Sequence, residues 1–210
     1  MNRLFWRDDM ENYTTNKWGL HITGATVPAY VNNVIPAFEG DYVLQINDAG
    51  DTYAAAGVLF GLFSNLKHRV ELAWWKDANT AYMWPYFHFL NGTNERAADI
   101  RYDNLSNRWM YVPSSVSGFP AAADWVAIPD ADENIEDNTW NHVKIEVDLQ
   151  RGVYSRLVTN LLDIDLTALP LRSFTRVGAL YYTNLTLIKI TGGVGQAAYF
   201  DDVRVYINVR

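Results

Sequence analysis

The segment from Tyr82 to Leu90 carries the side chains best suited to bind a ligand. If it is a β-strand, its alternation places Tyr82, Trp84, Tyr86 and His88 on one face. Their hydroxyl, indole and imidazole groups supply hydrogen bonds beside large aromatic rings. Sugar rings have apolar C–H faces and polar rims, so such a face suits them. The alternative is that these rings fill a second face covered by loops.

Other aromatic and polar residues join this face if their strands lie next to it. Eight Trp and thirteen Tyr are more than a core of this size usually needs. Tyr and Trp also favour protein interfaces, so a protein-binding face remains an alternative. The further candidates for ligand contact are Trp75, Arg101, Tyr111 and Asn184.

Patterns typical of catalytic and metal sites are missing from the sequence. The absence of cysteine excludes disulfides, thiolate nucleophiles and thiolate metal ligands. The glycine cluster at 192–195 lacks the Lys-Ser/Thr ending of a phosphate-binding loop. Four histidines lie far apart, without the spacing of a zinc site; they are His21, His68, His88 and His142.

Hydrophobic residues recur mostly at a period of two, which predicts β-strands. The clearest strand covers residues 140–149, where Val and Ile alternate with charged residues. Similar alternation covers 42–46, 69–75 and 203–207, with turn-forming clusters between these segments. This pattern predicts an antiparallel sandwich or barrel.

Three segments are harder to assign. Residues 54–66 are apolar enough for a buried helix, but Gly57 and Gly61 favour a strand. Residues 120–124 fit a single helical turn. The region 113–137 shows no clear alternation, and we expect its acidic end to be an exposed loop rather than a cation site.

Composition indicates one globular domain and excludes several functions. Of 210 residues, 49% are hydrophobic and 20% charged, which excludes a disordered chain. The net charge of −7 repels nucleic-acid backbones and anionic lipid surfaces. No Pro/Gly/Ser-rich linker divides the chain, so a single domain is expected.

Localisation is poorly determined by the sequence. The first nine residues contain no apolar run of signal-peptide length, and eighteen consecutive apolar residues occur nowhere. We therefore expect no membrane insertion. Signal peptides are removed from many mature chains, and a virion protein needs none. The favoured expectation is therefore an extracellular, virion or cell-surface location. Four glycosylation sequons matter only in a secretory pathway; they begin at Asn12, Asn91, Asn104 and Asn184.

An ordered set of short motifs runs along the chain. An acidic segment near the N-terminus is followed by a Gly-x-Tyr-x-Leu strand, and an Asp-Asp-Val motif lies in the last predicted strand. With these motifs the chain resembles the jelly-roll carbohydrate-binding modules and the wider concanavalin A/laminin G-like sandwiches. The motif residues are 5–13, Trp18, 38–46, 140–145, Asp148, Tyr154 and 199–206.

The resemblance implies a structural calcium ion that joins the first strand to the last. Calcium takes about six to eight oxygen ligands, and carboxylates from distant segments would repel one another without a cation. Ordinary solvated turns are the alternative. The implied ligands are Asp9 or Glu11, Asp41, and Asp201 or Asp202.

The catalytic motifs of enzymes that resemble this family are present in the chain only in part. The laminarinase-like Glu-x-Asp-x-x-Glu motif begins at Glu146 and Asp148, but Arg151 replaces its last glutamate. The alginate-lyase motif Arg-x-Glu-x-Arg begins at Arg69 and ends at Ala73, where the second arginine is needed. The sequence therefore favours a non-catalytic domain.

Together these observations predict one all-β domain over residues 1–210. Its expected architecture is a two-sheet antiparallel jelly-roll β-sandwich of the concanavalin A-like type. The expected function is lectin-like binding of a glycan or polysaccharide on an aromatic-lined sheet face, without an organic cofactor. Two alternatives stay open. One is a structural or adhesion domain of a virion or cell surface with a protein or homo-oligomeric partner, and the other is a polysaccharide-active enzyme with unrecognised catalytic residues.

Overall fold

The computed structural model describes residues 2–11, 29–31, 35–47, 53–60, 67–78, 80–117, 120–191 and 197–208. These residues form thirteen β-strands and one short 3₁₀ helix, Ala122–Asp124. The strands are β1 (Asn2–Asp8), β2 (Ala29–Val31), β3 (Val43–Asn47), β4 (Tyr53–Phe60), β5 (Lys67–Lys76), β6 (Thr80–Asp103), β7 (Arg108–Tyr111), β8 (Val126–Asp132), β9 (Thr139–Asp148), β10 (Val153–Val158), β11 (Asp163–Asp165), β12 (Arg172–Thr191) and β13 (Ala197–Asn208).

Two antiparallel sheets make up the domain. The first sheet has eight strands in the order β11-β10-β9-β5-β13-β3-β2, and β1 also pairs with β13. The second has five strands in the order β4-β12-β6-β7-β8. We call them sheet A and sheet B. This two-sheet sandwich confirms the predicted fold class.

The core lies between the sheets and is built from alternate residues of each strand. In sheet A, Val143, Ile145 and Val147 of β9 are buried while Lys144 and Glu146 between them are partly exposed. In sheet B, Phe87 and Phe89 of β6 belong to the same buried cluster. Burial of one face of each strand is what the period of two requires.

Secondary structure agrees with the prediction in most places and differs in one. Strand β4 covers the described part of 54–66, and the 3₁₀ helix lies within the predicted helical turn. The predicted loop at the acidic end of 113–137 is wrong in part, because β8 forms there and pairs with β7. A register shift in this pairing breaks the alternation, so the strand was not visible in the sequence.

The two ends of the domain are joined directly, because β1 pairs with β13 from Asn2 opposite Asn208 to Asp8 opposite Val203. The acidic N-terminal segment and the Asp-Asp-Val motif therefore lie on neighbouring strands. Within the described parts of the chain, no helix has the length and apolar character needed to span a bilayer.

Candidate functional site

The predicted aromatic face of β6 forms, but it is closed. His88 and Glu95 are seven positions apart, a separation of about 23 Å along a straight strand, yet their side chains are in direct contact. Strand β6 must therefore bend sharply between them. The register between β6 and β12 shifts at the same place, between Thr175 and Leu180. The bend brings the two halves of the outward face towards each other.

Trp84 and Tyr86 are consequently buried, with 3% and 9% of their surfaces exposed. Trp125 packs edge-on against Trp84 with ring centroids 4.9 Å apart. Val112 and Val116 also pack in this cluster, so the connection between β7 and β8 covers the rings. The prediction that these rings are open to solvent is wrong. We call this region the closed face: Tyr82, Trp84, Tyr86, His88, Arg101, Trp125 and Arg172.

A buried ion pair lies inside the closed face. The guanidinium Nε of Arg172 donates to the carboxylate of Asp99 at 2.8 Å, and neither residue has any exposed surface. Arg172 also donates to the Tyr86 hydroxyl at 3.3 Å. Burial raises the pKa of Asp99 to about 6, and Arg172 opposes this shift. Through these two hydrogen bonds, Arg172 links Asp99 to the Tyr86 hydroxyl and holds Tyr86 in place.

The other predicted ligand residues divide between the two sheets. Arg101 joins the closed face, with its guanidinium 4.0 Å from the Tyr82 ring centroid and 4.2 Å from that of Trp125. Tyr111 packs against the main core instead. Trp75 lies on the outer face of sheet A, opposite Trp140. The backbone of Asn184 pairs with His88, and its side chain lies outside the described part of the structure.

Two of the carboxylates predicted to bind calcium accept hydrogen bonds from the backbone. Glu11 Oε1 accepts from the N–H groups of residues 41 and 42 at 2.8 and 2.9 Å. Asp201 Oδ2 accepts from residues 38 and 39 at 2.9 and 3.1 Å. These bonds hold the loop before β3 against the ends of β1 and β13.

Arginines neutralise a third predicted ligand. Asp202 Oδ1 accepts from Nε of Arg7 at 3.0 Å and from Nε of Arg204 at 2.8 Å. Asp9 is half-buried and Asp41 is exposed. Within the described residues, no group of three or more carboxylate or imidazole side chains could hold a metal ion. This donor set does not fit the proposed ion well, and calcium stays a prediction.

An open cleft lies where the chain passes from β8 to β9, beside the turn between β10 and β11. Its volume is about 350 Å³, within the range of about 300–1,000 Å³ typical of small-molecule pockets. We call it the end cleft. Its lining residues are Glu133, Asn134, Ile135, Glu136, Thr139, Trp140, Asn141, Asn160 and Leu161.

Glu133 fixes the inner wall of the end cleft. Its carboxylate accepts hydrogen bonds from the Trp109 indole at 2.7 Å and from the Thr159 hydroxyl at 2.9 Å. The Thr159 hydroxyl in turn accepts from the backbone N–H groups of Leu161 and Leu162. Glu133 is buried, and these bonds tie the β10–β11 turn to the connection before β9.

Amide side chains form the polar wall. The side-chain amide of Asn160 donates to the side-chain Oδ1 of Asn141 at 3.4 Å and accepts from the backbone N–H of His142 at 3.1 Å. Asn141 donates to the Thr139 carbonyl oxygen at 3.1 Å. These contacts orient the amide groups before any ligand arrives. Pre-oriented donors and acceptors beside an apolar surface are suited to recognising hydroxyl groups.

Trp140 supplies the aromatic surface of the end cleft. Its indole N–H donates to the carbonyl oxygen of Pro36 at 2.7 Å, which fixes the ring. Its side chain is half-buried, and Leu161 beside it is 76% exposed. The end cleft therefore combines fixed amides with an accessible ring and an exposed aliphatic side chain.

The end cleft is not indicated by any of the sequence motifs. Its residues come from the β8–β9 connection and the β10–β11 turn, about twenty residues apart in the chain. One signal was present: Trp140 and Asn141 begin the clearest predicted strand directly after the acidic segment. The polar turn at Asn160 followed by an exposed leucine was a second, weaker signal.

Comparison with known proteins gives structural similarity only. No protein-family model matches the sequence, and no curated protein matches it at a significant level. An endo-acting O-glycanase of the human gut microbiota has 12% identity and a TM-score of 0.56, over 97% of this chain and 98% of that one. A β-glucanase of Bacillus licheniformis has 12% identity and a TM-score of 0.51, over 98% of both chains.

A carbohydrate-binding module of the β-sandwich superfamily is also similar, with 13% identity and a TM-score of 0.51. The match covers 94% of this chain, which spans 60% of the length of that one. At these identities the similarity establishes the fold. The chain therefore has the jelly-roll β-sandwich fold of the concanavalin A-like type that its sequence motifs predicted.

Proposed function

We propose that this protein is a non-catalytic carbohydrate-binding domain whose site is the end cleft. The observation that carries the proposal is the juxtaposition of the Trp140 ring with the amides of Asn141 and Asn160 around an open volume of about 350 Å³. A ring beside oriented amides matches a sugar, which offers C–H groups on one side and hydroxyl groups at its edge. The fold neighbours include carbohydrate-binding and carbohydrate-cleaving proteins, which is consistent with this function.

The charges around the end cleft favour a neutral glycan. Glu136 is exposed in its lining, and Glu133 lies behind it. The nearby ammonium group of Lys76 is buried and paired with Asp137. Because the protein also has a net charge of −7, uronic acids and sulfated sugars would be repelled.

Glu133 has the environment of a structural carboxylate rather than a catalytic one. Both of its oxygens accept hydrogen bonds from neutral donors, Trp109 and Thr159. Both oxygens are therefore engaged by protein donors, which gives this carboxylate the role of holding the β10–β11 turn in place. The end cleft therefore supports binding more than hydrolysis.

Affinity electrophoresis against β-glucan, xylan, arabinan and mannan tests this proposal, with alginate and pectin as acidic polysaccharides. A matched pair of variants separates the cleft from the general surface: Leu161→Ala lies on its rim, and Leu105→Ala removes an equally exposed leucine from the β6–β7 turn. We expect at least one neutral polysaccharide to retard the protein, and Leu161→Ala and Trp140→Ala to weaken this retardation while Leu105→Ala does not.

Retardation by none of the neutral polysaccharides would overturn the proposal. So would equal retardation of the Trp140→Ala variant and the unmodified protein. Unchanged melting temperatures of Leu161→Ala and Leu105→Ala would show that both variants are folded. Release of reducing sugar from any polysaccharide would contradict the non-catalytic part of the proposal.

A further inference from the structure

A row of three aromatic side chains leads away from the end cleft. Trp140 and Trp75 lie directly opposite each other on β9 and β5, with ring centroids 5.6 Å apart. Phe38 contacts the same Trp140 ring at 6.0 Å and is 44% exposed. We call these three residues the aromatic row. Since Trp140 also lines the end cleft, the row and the cleft form one continuous surface.

The loop that carries Phe38 is held in place by several polar contacts. Asp201 accepts hydrogen bonds from the backbone N–H groups of Phe38 and Glu39. Arg7 pairs with the Glu39 carboxylate at 3.0 Å. Gly40 has a φ of +74°, and a Cβ atom there would lie 2.3 Å from the Glu11 carboxylate oxygen that caps the loop. The loop that carries Phe38 is therefore fixed before ligand binding.

We infer that the ligand is an extended chain of neutral sugars rather than a single sugar. This inference rests on the proposed function: one unit occupies the end cleft, and further units lie along the aromatic row. Two rings of the row, Trp75 and Phe38, lie beyond the cleft, and a monosaccharide confined to the cleft would leave both without a role in binding. A fixed surface costs little conformational entropy when a flexible chain binds to it.

The ring geometry favours a sugar chain over a flat protein interface. The rings of Trp75 and Phe38 meet Trp140 at 73° and 62°, so the row presents a sequence of inclined edges and faces. Polar groups lie alongside, including the exposed Glu39 and the half-buried His142. Alternating apolar and polar contacts match the two surfaces of a sugar chain.

Isothermal titration with a disaccharide and a hexasaccharide of the neutral polysaccharide that binds tests the inference. Trp75→Ala removes a ring of the row that does not line the end cleft. Tyr206→Ala is its control, because Tyr206 is a half-buried aromatic residue of the same sheet that lies against Arg69. Arg69 is six positions before Trp75 on β5, a distance of about 20 Å along the strand.

We expect the hexasaccharide to bind more tightly than the disaccharide. Trp75→Ala should weaken hexasaccharide binding by about three- to tenfold, the value of one aromatic contact, and weaken disaccharide binding less. Tyr206→Ala should change neither affinity. Trp75→Phe should restore part of the loss.

Equal affinities for the disaccharide and the hexasaccharide would overturn the inference while leaving the proposed function intact. The same holds if Trp75→Ala weakens the binding of both oligosaccharides equally. It also holds if Tyr206→Ala weakens hexasaccharide binding as much as Trp75→Ala does. Concentration-dependent dimerisation that Trp75→Ala abolishes would also overturn it, because the row would then be a protein interface. Failure of both oligosaccharides to bind, although the polysaccharide does, would overturn it as well. Failure of every neutral glycan would contradict the proposed function itself.

Discussion

The closed face and the end cleft use the same kinds of side chain with opposite results. Each combines tryptophan rings with hydrogen-bonding groups, yet Trp84 is 3% exposed while Trp140 remains accessible beside an open volume. In the closed face the rings pack against one another and against Trp125. An outward position on a strand therefore does not ensure exposure, because the strand can bend and a connection can cover it.

Polar groups also serve different purposes in the two regions. In the closed face, Arg172 and Asp99 pair with each other without contact with solvent. In the end cleft, Asn160 is exposed and uses part of its capacity to orient itself against Asn141. The first arrangement stabilises a folded sheet, and the second leaves groups available to a ligand.

The largest effect should come from removing a ring of the closed face. Trp84→Ala should lower the free energy of unfolding by about 4 kcal/mol, because it leaves a cavity among packed aromatic rings. Trp140→Ala should cost less than half as much, since its ring is only half-buried. Urea denaturation of both variants measures the difference. Equal losses would mean that the two rings are packed to the same degree.

Breaking the buried ion pair should have an effect nearly as large. Arg172→Ala should lower the free energy of unfolding by about 3 kcal/mol, because it leaves the Asp99 carboxylate buried without its partner. The double variant Arg172→Met/Asp99→Leu should recover much of this loss. If the double variant is as unstable as the single one, the pair is not the reason for the loss.

Acid should destabilise the core directly behind the closed face. His68 packs against Phe87 and Phe89 of β6, and burial lowers its pKa from 6.5 to about 4. As the pH falls below 6.5 the unfolded chain binds a proton first. The stability associated with neutral His68 is therefore complete above this pH and is lost as the pH approaches 4.

This loss should amount to about 3 kcal/mol of unfolding free energy between pH 7 and 4. The buried carboxyl groups of Asp99 and Asp201, whose pKa values are raised to about 6, act in the opposite direction. Comparison of the unmodified protein with the His68→Leu variant cancels the effect of these two carboxyl groups, because both proteins contain them. If both proteins lose equal stability on acidification, His68 does not set the acid limit.

The strands and the faces of β6 were predictable because they depend on local alternation. Met83 and Phe87 point to the core and Trp84 and Tyr86 away from it, as the period of two requires. The pairing of β1 with β13 was implied by motifs at both ends. What the sequence could not show was the bend in β6, since the pairing of His88 with Glu95 depends on the register of β12.

The end cleft was unpredictable for a different reason. Its wall depends on a hydrogen bond from Thr159 to Glu133, and each residue alone looks like an ordinary turn or loop residue. The predicted calcium ligands illustrate the same limit. Glu11 and Asp201 hold the loop before β3 through its backbone N–H groups, and such partners carry no sequence signature.

The smallest effect concerns this predicted calcium ion. We expect EDTA to leave the melting temperature unchanged, because Asp202 is already neutralised by Arg7 and Arg204. A metal bound only to the native state would raise stability, so its removal would lower the melting temperature. A decrease that added calcium reverses would show that the ion is present after all.

Binding of the glycan in the end cleft is tested most directly by NMR, with the indole N–H signals of the eight tryptophans followed during titration with the neutral hexasaccharide. Single Trp→Phe variants assign the signals. The Trp140 and Trp75 signals should shift as ligand is added, while those of Trp84 and Trp125 should not. Shifts confined to Trp84 and Trp125 would place the ligand in the closed face and rule out the end cleft as the binding site.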